Sequence, residues 1–217
     1  MIIAIDGPSA SGKSTLGRLV ARALGLLYID TGSMYRTVAL AVIDANLDPS
    51  DKEAVTALAN EIEIDLKGDP DSLKVWLNGQ DVTDQIRTEN VTAMSSIVST
   101  IPGVRRAMVE RQRALGKRGA VLNGRDIGTV VFPDADFKFF LDANPNERAE
   151  RRYKEDQATS DTTLAETLAD ITERDRRDST RADSPLKAAD DAVVIDSTGK
   201  SIEEVFREMM DNVHRNH

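Results

Sequence analysis

The stretch whose chemistry is plainest is Gly7-Pro8-Ser9-Ala10-Ser11-Gly12-Lys13-Ser14-Thr15. Glycine lets successive backbone N–H groups curl around polyphosphate, and a helix starting there presents its positive end. Lys13 is placed to reach the β- and γ-phosphates, and the Ser14 hydroxyl to meet a magnesium ion. Such a loop carries weight only between a strand and a helix. Residues 2–5 are apolar enough for a buried strand, and Leu16, Leu19, Val20, Ala23 and Leu24 return at helical spacing, so the setting is the required one. Residues 7–15 are therefore expected to cradle a nucleoside triphosphate with Mg²⁺.

The second set of chemical residues is a series of arginines, Arg36, Arg125, Arg148, Arg151, Arg152, Arg174 and Arg181. Any one of them could be a solvated surface residue. Collectively they are harder to dismiss, since Arg36, Arg125 and the 148/151/152 group follow strand ends expected to share an edge with the glycine loop. Arg174, Asp178 and Arg181 are spaced i, i+4, i+7 and share a face if one helix runs that far. Guanidinium forks fit phosphate oxygens bidentately, so the set suits a second polyanion held beside the first. The chemistry implied is phosphoryl transfer to an acceptor phosphate gripped by Arg36, Arg125 and Arg181.

The elements that must position these residues alternate strand and helix, which predicts an α/β fold on a parallel sheet. A strand over 26–29 closes at Asp30-Thr31-Gly32-Ser33 and opens a helix over 34–45, with Thr31 near its cap and Tyr35 and Arg36 in its first turn. An arginine beside the positive end of a helix is electrostatically misplaced, which points to a duty other than helix stability. After a helical pattern over 51–60, residues 61–66 and 73–78 alternate around Lys67-Gly68-Asp69-Pro70-Asp71 and predict a β-hairpin. That hairpin reads as an insertion over 48–87 in a core of 1–47 and 88–217.

Helices are expected over 91–98 and 104–115. A strand over 120–122 runs into Asn123-Gly124-Arg125-Asp126, at the edge where open parallel sheets gather functional groups. A strand over 137–141, a helix from 145, a longer helix from 164 to 178, a strand over 192–195 and an amphipathic C-terminal helix complete the chain.

The 28 Lys and Arg against 37 Asp and Glu give a net charge of -9, which disfavours a general grip on nucleic-acid backbone. With no cysteine there is neither a disulfide framework nor a thiolate metal site. The N-terminal apolar run ends at Asp6, and no run of about eighteen apolar residues follows, so neither a signal peptide nor a membrane span is expected and the cytoplasm is the default.

The loop over 7–15, Asp30-Thr31-Gly32-x-x-Tyr35-Arg36, the stretch from Gly124-Arg125-Asp126 to Phe132-Pro133-Asp134-Ala135, and Glu173-Arg174-Asp175-x-x-Asp178-x-x-Arg181 together resemble the bacterial cytidylate kinases. The resemblance covers nearly the whole chain. It implies a three-layer P-loop fold on a five-stranded parallel sheet, an enlarged antiparallel monophosphate-binding insertion, and a helical lid over about 145–165. It further implies transfer of the γ-phosphoryl group of ATP to CMP or dCMP by a monomer, with no nucleic-acid or membrane partner. By the same resemblance Arg36, Arg125 and Arg181 would hold the acceptor phosphate, in a subsite that includes Thr31 and Tyr35. Ser96, Arg105 and Asp126 would read cytosine, Arg174 and Asp178 would contact the sugar, and Arg148, Arg151 and Arg152 would join Lys13 in neutralising charge at the reacting phosphates.

Two residues depart from the family pattern. Ala10 stands where relatives often have glycine and is expected to keep an ordinary backbone φ. Asn123 stands where many carry Asp or Glu, which leaves the magnesium shell to Ser14 and the phosphates. The competing readings are another small-molecule P-loop kinase, for UMP, AMP, shikimate or dephospho-coenzyme A, and a nucleotide-binding switch. The sequence lacks the guanine-reading Asn-Lys-x-Asp that a GTPase-like switch would need.

Overall fold

A computed structural model of the chain describes residues 1–157 and 162–215. Residues 158–161, part of the expected lid, lie outside the described residues. Strand β1 (Ile2–Asp6) is followed by α1 (Lys13–Leu24), β2 (Leu27–Asp30) and α2 (Thr31–Asp44). Over the stretch expected as an insertion come α3 (Lys52–Glu61), β3 (Ile64–Lys67), β4 (Lys74–Leu77) and the two-residue β5 (Gln80–Asp81). Then come α4 (Glu89–Val98), α5 (Pro102–Gly116), β6 (Ala120–Gly124), β7 (Phe137–Asp142), α6 (Pro145–Asp156), α7 (Leu164–Thr180), β8 (Val193–Asp196) and α8 (Ile202–Arg215).

The five core strands form one parallel sheet in the order β2-β6-β1-β7-β8. Alternation along β1 explains the three layers. Ile3 and Ile5 point into the cluster under α1 and α8, with Leu16, Val20, Val205 and Met209. Ala4 points the other way, into the cluster built with Val38, Val98, Val104 and Met108 of α2, α4 and α5. Both faces are covered, as a parallel sheet requires. Among the described residues no helix is long and apolar enough to cross a membrane.

The expected hairpin is a three-stranded antiparallel meander, β3-β4-β5, because the chain turns back a second time at Asn78 and Gly79. Its inward residues Ile64, Val75 and Val82 join the same apolar cluster as α2 and α5.

Two helix ends differ from expectation. Helix α2 begins at Thr31, three residues early, because the Asp30 carboxylate accepts from the Ser33 amide and caps it. Tyr35 and Arg36 therefore lie in the second turn, where the helix dipole has less hold on Arg36. Helix α7 stops at Thr180, and Arg181 follows with an extended backbone at φ -63° and ψ 141°. The 174/178/181 set is thus only partly helical.

Register places the site. Asp6 pairs with Gly124, and Asp30 with Asn123, so the loops after β1, β2 and β6 leave one edge of the sheet side by side. Gly7 turns away from β1 at φ +148°, where a Cβ would lie 2.0 Å from the Leu141 carbonyl oxygen on β7. Glycine is needed there for space as well as backbone angle. Gly7→Ala should destabilise the protein by about 3 kcal/mol through strain and overpacking, lowering the melting temperature by about 6–12 °C. A melting temperature within about 2 °C of wild type would contradict the close approach.

Candidate active site

The ends of β1, β2 and β6 and the facing helices α4, α6 and α7 enclose one cavity of about 810 Å³. Every residue expected at the site lines it except Gly7, Pro8, Ser96 and Arg148. Arg36, Arg125 and Arg181 share it with Lys13, as a reaction between two bound phosphates requires.

On the donor side, α1 starts after Gly12, whose φ of +89° lets the loop amides turn inward. Ala10 does not keep an ordinary backbone. Its φ is +57°, because the loop must curl at that point, and a non-glycine residue there costs about 1 kcal/mol. Lys13 is buried, with its ammonium on the Pro8 carbonyl and 3.2 Å from Ser11 Oγ. Burial, reinforced by repulsion from Arg125, lowers its pKa well below the usual lysine range.

On the acceptor side, guanidinium and carboxylate groups alternate. Arg125 Nε donates to Asp178 Oδ2 at 2.8 Å, and Arg181 Nη1 lies 3.5 Å from Asp178 Oδ1. Arg36 Nη2 lies 3.4 Å from Asp30. Arg105 Nη2 donates to Asp126, its Nη1 donates to the Ser99 carbonyl at 3.2 Å, and its guanidinium sits 5.7 Å from the Tyr35 ring centre. Arg36 Nε, Arg105 Nε and Arg181 Nη2 are buried donors without a hydrogen-bond partner among the described residues. Buried donors without partners are costly, so three in one cavity mark a place built for an oxygen-rich anion. Burial, then repulsion from Arg125, brings Arg174 down to about 10. Burial alone would raise Asp178, but Arg125, Arg174 and Arg181 outweigh it and hold the carboxyl below its ordinary value.

Four expected residues are held differently from a direct ligand contact. Thr31 Oγ1 donates to the Asn123 carbonyl at 2.7 Å and so ties α2 to β6. Arg148 is buried behind the glycine loop, donating to Ala143 O and Ser9 O, both at 2.9 Å. Arg151 is anchored on Ser197, 3.0 Å from its Oγ and 2.8 Å from its carbonyl. Ser96 Oγ accepts from Arg177 Nη1 at 2.6 Å. Ala93 and Ser99, three residues to either side on the same helical face, line the cavity while Ser96 does not, so Arg177 covers its hydroxyl.

Sequence reasoning missed Arg177, Asp175 and Asp6 as contributors. Asp175 was visible inside the Glu173-Arg174-Asp175 segment, but nothing in the spacing told which neighbour it meets. Asp6 is buried at the end of β1, and its two oxygens accept from the amides of Ile127 and Gly128, each at 2.8 Å. Those amides open an unexpected π-helical turn, Ile127–Val131, directly after Asp126. Asp6 thus fixes the backbone that carries Asp126.

An oxygen-rich corner surrounds Ser14. Asn123 Nδ2 lies 3.2 Å from Ser14 Oγ and 3.5 Å from Asp30 Oδ1, while Asn123 Oδ1 is buried without a partner among the described residues. The Ser14 hydroxyl and the Asp30 carboxylate are donor types a hard, hydrated divalent cation takes, while Asn123 turns its amide nitrogen toward both.

A strand–glycine loop–helix unit and an arginine-lined second subsite on one sheet edge define a P-loop phosphotransferase class. A solved structure of an uncharacterized protein from Eubacterium ventriosum shares the fold, at a TM-score of 0.52 and 10% identity over 99% of this chain and 98% of that one. The family model described as Cytidylate kinase matches residues 3–215. The chain is 50% identical to the cytidylate kinase of Solibacter usitatus over 209 residues, covering 94% of this chain and 88% of that one. It is 49% identical to that of Geobacter sulfurreducens over 211 residues, covering 96% and 91%. The chain belongs to the cytidylate kinase family.

Burial raises the Asp6 carboxyl from 3.8 to about 6, against the two amide bonds that favour its charged form. An acid with a raised folded pKa contributes most below its unfolded value, and that contribution is lost as pH climbs through the folded one. The loss falls between pH 4 and 6 and amounts to about 3 kcal/mol. Denaturant titrations of wild type and Asp6→Asn at pH 4 and pH 7 should show their stability difference moving in the variant's favour by roughly this amount; parallel pH profiles would exclude it.

Proposed function

We infer that this chain transfers the γ-phosphoryl group of ATP to CMP or dCMP, giving ADP and CDP or dCDP. Family membership supports this reaction over a UMP, AMP, shikimate or dephospho-coenzyme A acceptor and over a nucleotide-binding switch. The observation that carries the reading is the shared cavity: loop residues from Ser9 to Thr15 on one side, Arg36, Arg125 and Arg181 on the other, and Lys13 between.

In this reading ATP lies along residues 7–15 and the CMP phosphate is held by the three arginines, two of which carry buried donors without a hydrogen-bond partner among the described residues, Arg36 Nε and Arg181 Nη2. Arg174 and Asp178 hold the sugar, and Thr31 and Tyr35 wall the subsite. Asp126 accepts from the cytosine N4 amino group; uracil presents a carbonyl there and leaves the carboxylate facing an acceptor. Ser96 joins the base once Arg177 yields its hydroxyl.

No general base is required, since the reaction rests on alignment and on charge stabilisation by Lys13 and the arginines. Arg152 and Arg151 serve from the cavity wall, and Arg148 serves indirectly, through the loop. Mg²⁺, when bound, would neutralise phosphate charge, with the Ser14 hydroxyl as the group fitted to hold it beside the phosphates.

A coupled ADP-release assay with ATP, Mg²⁺ and each nucleoside monophosphate tests reaction and specificity together. CMP and dCMP should be used in preference to UMP and AMP, and a preference for UMP would remove the cytosine reading. Arg181→Ala should lower kcat/KM for CMP at least about ten-fold, the worth of a hydrogen bond to a charged group; near wild-type kinetics would take Arg181 out of the site. Asp126→Asn, which offers an N–H to uracil O4, should narrow the CMP-to-UMP preference by about 10- to 100-fold, read as the ratio of the two kcat/KM values, and an unchanged ratio would show that Asp126 does not read the base.

A further inference from the structure

Asp175 lies in the arginine-rich segment but does not line the cavity. Its Oδ1 accepts from the Ser9 amide at 3.0 Å, and its Oδ2 accepts from Arg148 Nη1 at 2.5 Å. The same Nη1 donates to the Ser9 carbonyl at 2.9 Å. One ion pair therefore holds both backbone groups of a single loop residue, and the pair is itself mostly buried, with side-chain exposures of 5% for Arg148 and 17% for Asp175. The next residue in the loop is Ala10, whose φ of +57° is a conformation that persists only where neighbouring contacts enforce it.

We propose that Asp175 is a positioning residue for the triphosphate loop: through Ser9 and Arg148 it enforces the left-handed turn at Ala10 that lets the following amides face the phosphates. Helix α7 thereby reaches both substrates, with Asp175 on the ATP loop and Arg174 and Asp178 on the acceptor side. The inference rests on residues 7–15 being the ATP cradle and not on the identity of the acceptor. It also explains how alanine is accommodated where a glycine would turn freely.

The test is a titration of a fluorescent ATP analogue, and separately of CMP, onto wild type, Asp175→Asn, Asp175→Glu, Ala10→Gly and the Ala10→Gly/Asp175→Asn double variant. Asp175→Asn should weaken the ATP analogue about ten-fold, the scale of one charged hydrogen bond, while CMP affinity changes less than about two-fold. Asp175→Glu keeps the charge opposite Arg148 and should cost about three-fold; it carries the measurement if the Asn variant does not fold. In the Ala10→Gly background the loss should shrink to about three-fold, because glycine takes the turn without strain.

Equal losses for ATP analogue and CMP would mean that Asp175 only packs α7, and would overturn the proposal. So would a loss of the same size with Ala10 and with the Ala10→Gly change. Failure of the wild type to bind the ATP analogue would overturn the cradle reading and this proposal with it. Failure of CMP to be phosphorylated would overturn the acceptor reading alone, since the ATP titration stands without it.

Discussion

The constraint on which the structure depends is the containment of positive charge. Among the described residues nine lysine and arginine side chains line one cavity, Arg36, Arg105, Arg125, Arg174, Arg181 and Lys13 among them, against six carboxylates that include Asp30, Asp126 and Asp178. Two of these aspartates are shared between arginines: Asp178 serves Arg125 and Arg181, and Asp126 serves Arg105 and lies 3.9 Å from Arg181. Buried ion pairs contribute little net stability once desolvation is counted. The arrangement is therefore better understood as a site than as a fold-stabilising device. The cost of the surplus is visible where Arg174 is brought down to about 10 and Lys13 well below its ordinary range, burial being the larger cause for both. Anionic phosphate oxygens are the groups that relieve that surplus.

The sheet delivers these charges to one place without needing long loops. With β1 in the centre, its loop is flanked by the β6 end on one side and the β7 end on the other. In-register pairing of Asp6 with Gly124 puts Arg125 and Asp126 directly beside the glycine loop. Asp6 adds a second constraint, since its two amide bonds hold the turn after Asp126. A carboxylate at the end of a buried strand thus fixes the backbone that carries a carboxylate lining the cavity.

The parallel sheet, the loop over 7–15 and the convergence of Arg36, Arg125 and Arg181 were legible in the sequence because each rests on local rules: hydrophobic period, glycine placement and strand ends. What the sequence concealed was tertiary. The early start of α2 depends on Asp30 choosing the Ser33 amide, and the end of α7 before Arg181 frees that residue to donate from Nε to the Ser184 carbonyl at 2.6 Å. Spacing could not separate Arg148, Arg151 and Arg152, which lie within five residues yet meet different partners. The left-handed turn at Ala10 was hidden for the same reason: alanine ordinarily avoids it, and the contacts that enforce it reach the preceding Ser9 from residues 139 and 166 positions further along the chain.

Those partners decide how the start of α6 is anchored. Arg148 is committed to Ser9, Ala143 and Asp175, and Arg151 to Glu147 and Ser197. Both bonds attach the first two turns of α6 to the sheet edge, through the glycine loop in one case and the loop after β8 in the other. Beyond Arg148 the helix turns two arginines to the cavity, the anchored Arg151 and then Arg152, with 39% of its side chain exposed. The C-terminal end of α7 is equally tied, by Asp175 to the loop, Asp178 to Arg125 and Arg177 to Ser96. The first two turns of α6 and the last turns of α7 are thus both fixed to the sheet edge that carries the arginines of the cavity.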